Sequence, residues 1–240
     1  WIYPHEDIFC ASTHLDPDAA KKQASELEAR ASDKTRRYAW SYDPHYDLFK
    51  SRNGEDLERL TTAFGYDAEA SVSPDGQHLV FASNRHAYTA DLAPEDRERL
   101  AEDPSYFIDL YRLDLRSGEI ERLTSTPGYD GGPFFSPDGQ RIVWRRFSED
   151  GAHAEIMTIG LDGTDGRVLT TLGVMSWAPF YHPSGDYIIF TTNLQGFDNS
   201  ELYLVRARMD KQADSRTVRV TSREGFDGLP VFSPDGQQLL

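Results

Sequence analysis

Cysteine is nearly missing from this chain: Cys10 is the single one in 240 residues. No intramolecular disulfide can form, so noncovalent forces must hold the fold. Cys10 lies in the apolar run DIFCAS, which predicts a small buried hydrophobe at that place. Long apolar runs are absent too. None approaches the roughly 18 residues of a membrane-spanning helix, and no signal-peptide pattern precedes the first strand. Trp1 starts and Leu240 stops inside a repeating pattern, so a longer parent protein is expected. Positive charge is in short supply, with 25 Lys and Arg against 40 Asp and Glu and a net charge of -15. That excess repels phosphates and argues against nucleic acid or an anionic membrane as partner. It suits solubility, a bound cation or a basic protein. Catalytic signatures are equally scarce. The seven histidines show no HExxH spacing. There is no G-x-S-x-G elbow. The glycines of GLDGTDG sit between strands and not ahead of a helix, so they do not form a phosphate loop.

What is abundant is one phrase. Ser-Pro-Asp-Gly-Gln begins at Ser73, Ser136 and Ser233, and His182-Pro183-Ser184-Gly185 stands in the same place in a fourth copy. The copies lie about 46 to 63 residues apart, near the repeat of a propeller blade once insertions are allowed. Each copy is preceded by a short strand (ASVS, PFFS, APFY, PVFS) and followed by another (HLVFAS, QRIVWRR, YIIFTT, QLL). An alternating strand such as DLYRLDL and a short one such as IERLT complete the unit, giving four strands with turn residues between them. Proline presets φ near −65°, and Asp-Gly supplies the positive φ that a tight hairpin needs. The phrase is therefore a turn formula before it is anything chemical. It misses the sialidase-type Asp box, Ser-x-Asp-x-Gly, by one residue.

Four-stranded units repeated radially make a β-propeller. The phrase, with GYD upstream and the apolar strand downstream, resembles the PD40 (WD40-like) repeat of TolB-like six-bladed propellers. FCASTHLDPDA, YDAEASVSPDG, GYDGGPFFSPDG and SWAPFYHPSGDYIIF are similar to segments of bacterial biopolymer transporter Tol-type proteins. An all-β fold follows as the expectation: a single, partial β-propeller domain over 1–240, with three complete and two partial blades. The complete blades are expected from about Tyr46 to Arg85, Asp109 to Phe147 and Glu155 to Asn193. Residues 1–15 would close an earlier blade, and Glu201 to Leu240 would be a blade lacking its outermost part. Two charged insertions interrupt the pattern. Residues 16–45 read as partly helical and capping one face, and residues 86–108 are charged and helix-prone. A third, RARMDKQADSRT, is shorter.

The candidate site is the channel mouth. Asp67, Asp130 and Asp227 each follow an aromatic (Tyr66, Tyr129, Phe226) and begin the innermost strand. Glu69 falls near the same axis. Convergent carboxylates need a cation or donors, and calcium suits a ring of oxygens; hydrogen bonds from a neighbouring blade would serve instead. Met175-Ser176-Trp177 breaks the ring, which puts Trp177 at the mouth, either anchoring a ligand or plugging the channel. Gly131 and Gly132 either admit a ligand or allow close packing. No cofactor is required by these residues beyond a possible calcium ion. The resemblance implies a non-catalytic interaction or scaffolding propeller, periplasmic or exported and monomeric. Its partner would be a protein such as an envelope lipoprotein, with no nucleic acid and no membrane insertion. The alternative is an accessory propeller that gates substrate for a peptidase or other hydrolase domain elsewhere in a longer chain. Glycoside chemistry by Asp67, Glu69, Asp130 and Asp227 is the remaining reading.

Overall fold

A computed structural model describes residues 7–31, 40–52, 54–207 and 216–240. The strands are β1 (Asp7–Ser12), β2 (Asp47–Arg52), β3 (Leu57–Arg59), β4 (Asp67–Val72), β5 (His78–Ser83), β6 (Asp109–Asp114), β7 (Ile120–Arg122), β8 (Asp130–Phe135), β9 (Arg141–Phe147), β10 (Ala154–Gly160), β11 (Arg167–Val168), β12 (Ser176–Tyr181), β13 (Tyr187–Thr192), β14 (Glu201–Arg206) and β15 (Val218–Arg219). Three sheets are four-stranded meanders, β4 to β7, β8 to β11 and β12 to β15, and β1, β2 and β3 form a three-stranded sheet before them. A bridge between Phe232 and Leu239 opens a further hairpin. All named pairings are antiparallel. The first strands of successive full sheets, β4, β8 and β12, pack against one another as the inner strands of a propeller.

The count of three complete blades holds, but the boundaries shift by half a unit. Each full sheet starts at its inner strand, aromatic-Asp in the first two and Met-Ser in the third, and ends with the short Arg-bearing strand, so DLYRLD and IER join ASV and HLVFAS, not PFF and QRIVW. Glu201–Arg206 accordingly forms the third strand of the last full sheet and does not start a new blade. The blade pattern also places Cys10 differently. It is exposed in β1, whose recorded strand partner is β2, while Phe81, at the equivalent place in β5, is fully buried.

The repeated phrase builds the same turn each time. Ser73 Oγ donates to Asp75 at 2.6 Å and accepts from the His78 amide at 2.9 Å, while Asp75 accepts from the Gln77 amide at 3.0 Å. Ser136 and Ser233 repeat these bonds. Only the glycine takes positive φ, 69° at Gly76 and 68° at Gly139 and Gly236. In the variant copy the His182 ring does part of this work, with Nδ1 2.9 Å from Ser184 Oγ. Ser148-Glu149-Asp150-Gly151 makes the same turn without proline, between β9 and β10.

A second repeated device locks the outer strands. Thr61, Thr124, Thr170 and Thr221 follow the short last strand of each sheet. Each hydroxyl accepts from an amide on the strand before it, of Leu48, Leu110, Ile156 and Leu202 respectively, at 2.9–3.0 Å. Each also donates to the acid one residue earlier: Asp47, Asp109, Glu155 or Glu201. An arginine two residues before the threonine completes three of the four clamps: Arg59, Arg122 and Arg219. Val168 replaces it in the third, where the Gly173 amide donates to Glu155 instead. Between sheets the space is filled by side chains such as Trp144, Phe81, Phe190, Leu79 and Ile156, all essentially without solvent exposure. Burying each of that size contributes about 1.5–3 kcal/mol.

The insertions carry the helices. α1 (Ala19–Ala31) has no buried residue. Lys22 tethers it, with its ammonium 2.6 Å from Asp16 and 2.5 Å from Asp43. Residues 32–39 of that insertion, residues 1–6, Asn53 and most of the RARMDKQADSRT loop lie outside the described residues. α2 (Pro94–Glu102) starts with proline and carries Glu95 and Asp96 in its first turn, where the helix dipole favours them. Short 3-10 turns at Arg85–Tyr88 and Pro104–Phe107 flank it.

Candidate functional site

The inner strands β4, β8 and β12 each bulge within their first few residues, although β12 starts at Ser176 and not at an aromatic-Asp pair. The residue two past the acid position then takes a left-handed backbone: Glu69 (φ 55°), Gly132 (φ 61°), Ala178 (φ 48°) and, on the last hairpin, Leu229 (φ 57°). That backbone suits glycine and costs other residues on the order of 1 kcal/mol or more. Holding it at Glu69 aims one carboxylate into a cluster of aromatic rings.

Three donors meet the Glu69 carboxylate. The Tyr66 hydroxyl donates at 3.2 Å, the Tyr129 hydroxyl donates, and Arg145 Nη2 sits 3.0 Å away. Arg145 also donates to Tyr129 Oη at 2.7 Å and lies 4.8 Å above the Tyr129 ring. Trp40 donates its indole N–H to Tyr66 Oη at 2.9 Å, and Tyr42 packs edge-on to both tyrosines. Burial, with Glu69 nearby, raises the pKa of Tyr66 and Tyr129 well above the ordinary phenol value. These hydroxyls stay protonated and serve as donors, not as bases.

The structure brings together Tyr66, Glu69 and Tyr129, three of the residues expected at the mouth, and adds Arg145, Trp40 and Tyr42, which sequence reasoning missed. The signal for Arg145 was the doublet Arg145-Arg146 in a strand. Alternate residues point to opposite faces. Trp144 and Arg146 therefore both reach Asp130, at 2.8 Å and 2.6–2.7 Å. Arg145 and Phe147 both pack on Tyr129. The glycines beside them are filled space. A Cβ on Gly131 would lie 2.5 Å from the Tyr129 ring, and one on Gly132 would lie 2.4 Å from Arg145 Nη1.

The carboxylate ring is not built as expected. Asp67 is fully buried and bound by Arg85 and by Ser83 Oγ at 2.6 Å. Burial still raises its pKa against the pull of Arg85. Asp130, equally buried, has Arg146 and Trp144. Both carry a counter-charge within the chain, Arg85 beside Asp67 and Arg146 beside Asp130. Their amides, not their carboxylates, bond to the preceding sheet: Asp67 to the Tyr46 carbonyl and Asp130 to that of Ile108. Asp227 is half-buried, and its amide likewise donates to Ser200. In the third full sheet Ser176 takes the acid's place and lies opposite Thr192, with no charge on either. Trp177 is half-buried and meets Phe226 edge to face at 5.9 Å, and Phe226 is 59% exposed.

Among the described residues the metal-type grouping lies elsewhere, at Asp16, Asp43 and His45, whose ligand atoms fall within 4.8 Å. The Lys22 ammonium already holds both carboxylates there, which pushes its own pKa up. A cleft of about 1570 Å³ runs between α1 and the propeller face, lined by Gln23, Glu26, Trp40, Tyr46, Tyr66 and Glu69 among others. A further network joins the half-buried His86, the buried Asp109 and the exposed Arg122. His86 Nδ1 lies 3.2 Å from Tyr111 Oη and 3.6 Å from Asp109, and Arg122 donates to both His86 and Asp109. Burial pushes Asp109 up to about 7, and burial with Arg122 pushes His86 down to about 4.

No family model matches the chain. It is 31% identical over 200 residues to a TolB homologue of Chlorobium luteolum, covering 80% of this chain and 38% of that protein. Over 104 residues it is 30% identical to Dipeptidyl-peptidase 5 of Porphyromonas gingivalis, covering 43% of this chain and 14% of the peptidase. The fold superposes on TolB from Acinetobacter baumannii with a TM-score of 0.61 at 21% identity, covering 83% of this chain and 43% of that one. The chain spans less than half the length of the curated relatives it matches.

Proposed function

We propose, for a chain with the TolB-like β-propeller fold, that it is a non-catalytic interaction module of the bacterial envelope. One observation carries this reading. The ionised groups of the Glu69 and Asp130 sectors are bound within the chain, while Trp177 and Phe226 offer aromatic surface at the same mouth. Bound acids have no free base or nucleophile to offer, whereas paired aromatics suit contact with another protein. Among the described residues no helix is long and apolar enough to cross a membrane. The proposed setting is periplasmic or exported, and the proposed partner is an envelope lipoprotein of the peptidoglycan-associated kind, bound by a monomer.

The test is calorimetric titration of the full-length protein with the soluble domain of such a lipoprotein. Saturable heat that Trp177→Ala abolishes supports the reading; no heat with folded protein sinks it. A second reading rests on the dipeptidyl-peptidase match: an accessory propeller that gates substrate for a hydrolase domain. Hydrolysis of dipeptidyl substrates by the full-length protein would favour it.

A further inference from the structure

The loop from β5 to β6 and the loop from β13 to β14 open alike and then part at one side chain. Asn84 Oδ1 accepts from the Tyr66 amide at 2.8 Å, and Asn193 Oδ1 accepts from the Met175 amide at 3.0 Å. Two residues on, His86 stands where the other loop has Gln195. Gln195 Nε2 donates to Tyr203 Oη at 3.0 Å, and His86 Nδ1 meets the sister phenol, Tyr111 Oη, at 3.2 Å. The same tie is made once by an amide that does not titrate and once by an imidazole that does. The imidazole stands at the head of insertion 86–108, whose helix α2 buries no residue.

The neighbours of His86 fix its state. Arg122 Nη2 lies 3.1 Å from Nε2, and an arginine can only donate. Nε2 must therefore accept, which puts the ring proton on Nδ1 and leaves the ring neutral. Arg85 stands beside it on its own turn and is bound to Asp67 of β4. From β6 come Tyr111 and Asp109, the latter 3.6 Å from Nδ1. From β7 comes Arg122, and the uncharged Phe107 ring lies 6.4 Å away. A second ring proton would set an N–H on Nε2 against the Arg122 guanidinium, donor to donor and like charge to like charge. Asp109 gives little relief, because burial lifts its pKa to about 7 and acid neutralises it before the imidazole charges.

We propose that the contact of His86 with Tyr111 and Arg122 is an acid-released latch, which holds the start of insertion 86–108 on the first full sheet and lets it go when the imidazole takes up its second proton. The part let go is the turn that hangs on His86: the Thr89 and Ala90 amides both donate to its carbonyl, at 3.2 and 2.9 Å. The far end of the insertion keeps its own ties, from Asn84 Nδ2 to the Pro104 carbonyl and from the Gly128 amide to that of Tyr106. The latch is independent of the partner-binding reading and of the channel mouth.

The test is hydrogen exchange on the full-length protein at pH 7 and pH 4, resolved at single amides and corrected for the intrinsic effect of pH on exchange. Protection of Thr89 and Ala90 should fall at least about tenfold in acid, since the imidazole titrates near 6.5 when released and near 4 when latched. The Gly196 and Asn199 amides of the sister loop should keep theirs. His86→Gln copies the residue at the sister position; it should stay protected at pH 7 and lose the response to acid. Ring nitrogen shifts of the parent give a reading that needs no variant, and should show the Nδ1–H tautomer at pH 7. Unchanged protection of Thr89 and Ala90 in folded protein at pH 4, an equal fall in folded His86→Gln, or an Nε2–H tautomer overturns the proposal.

Discussion

Two sectors of one channel mouth share a backbone and little else. At Glu69 the bulged inner strand aims a carboxylate into a closed set of partners, Arg145, Tyr66 and Tyr129. At Ala178 the same bulge, with φ 48°, carries a methyl group, and its neighbour Trp177 leans on a solvent-exposed ring. The first sector spends its polarity on internal order. The second leaves its chemistry turned outward. Repetition of the strand thus fixes where side chains point, while single substitutions decide whether a position knots the fold together or remains available.

The strongest way to break this contrast is Glu69→Ala. It would leave the Arg145 charge enclosed without its counter-ion, and removing one partner of such a buried pair costs about 3–5 kcal/mol. Urea unfolding should register that loss, whereas Trp177→Ala should cost far less; equal losses would erase the distinction. Next in size is Gly132→Ala, which adds a Cβ 2.4 Å from Arg145 Nη1 at a left-handed φ, for about 1–3 kcal/mol of destabilisation. Its mirror, Ala178→Gly, relieves the same left-handed backbone, φ 48°, and thermal unfolding should show a small gain or no change. A loss there would mean that the bulge is not strained.

A further contrast concerns pH at the His86–Asp109 network. Asp109 has its folded pKa raised to about 7, so its contribution is greatest below about 4 and is lost as pH rises toward 7. His86 has its folded pKa lowered to about 4, so its contribution is present above about 6.5 and is lost as pH falls toward 4. The two oppose each other across one window. Relative to the parent, His86→Gln should gain stability on acidification from pH 7 to 4, and Asp109→Asn should lose it. Parallel melting profiles for all three proteins would contradict the assignment.

Much of this was legible beforehand. A phrase that sets a proline φ and a glycine φ in four copies specifies a hairpin wherever it stands, and the structure places one at each. The sheet boundaries were not legible, because a periodic sequence reads the same from any starting point and only the hydrogen-bond ladder decides which strands are neighbours. Cys10 was misplaced for a related reason: an apolar run tells that a strand exists, and its neighbours tell which residues it hides. Tyr66, Glu69 and Tyr129 could be grouped because they sit on successive inner strands. Arg145 escaped because its partner lies 76 residues away on another sheet, a distance that strand alternation alone does not bridge. The turn at Ser148 escaped for want of its proline.

The threonine clamps have a consequence for synthesis. Leu48 and Thr61, or Leu110 and Thr124, are only 13 and 14 residues apart, and the clamp between them needs nothing from later sheets. A hairpin closes in about 1–10 μs, while a ribosome adds about 5–20 residues per second. The outer half of each blade can therefore be latched soon after it leaves the ribosomal tunnel, while the next inner strand is still being translated.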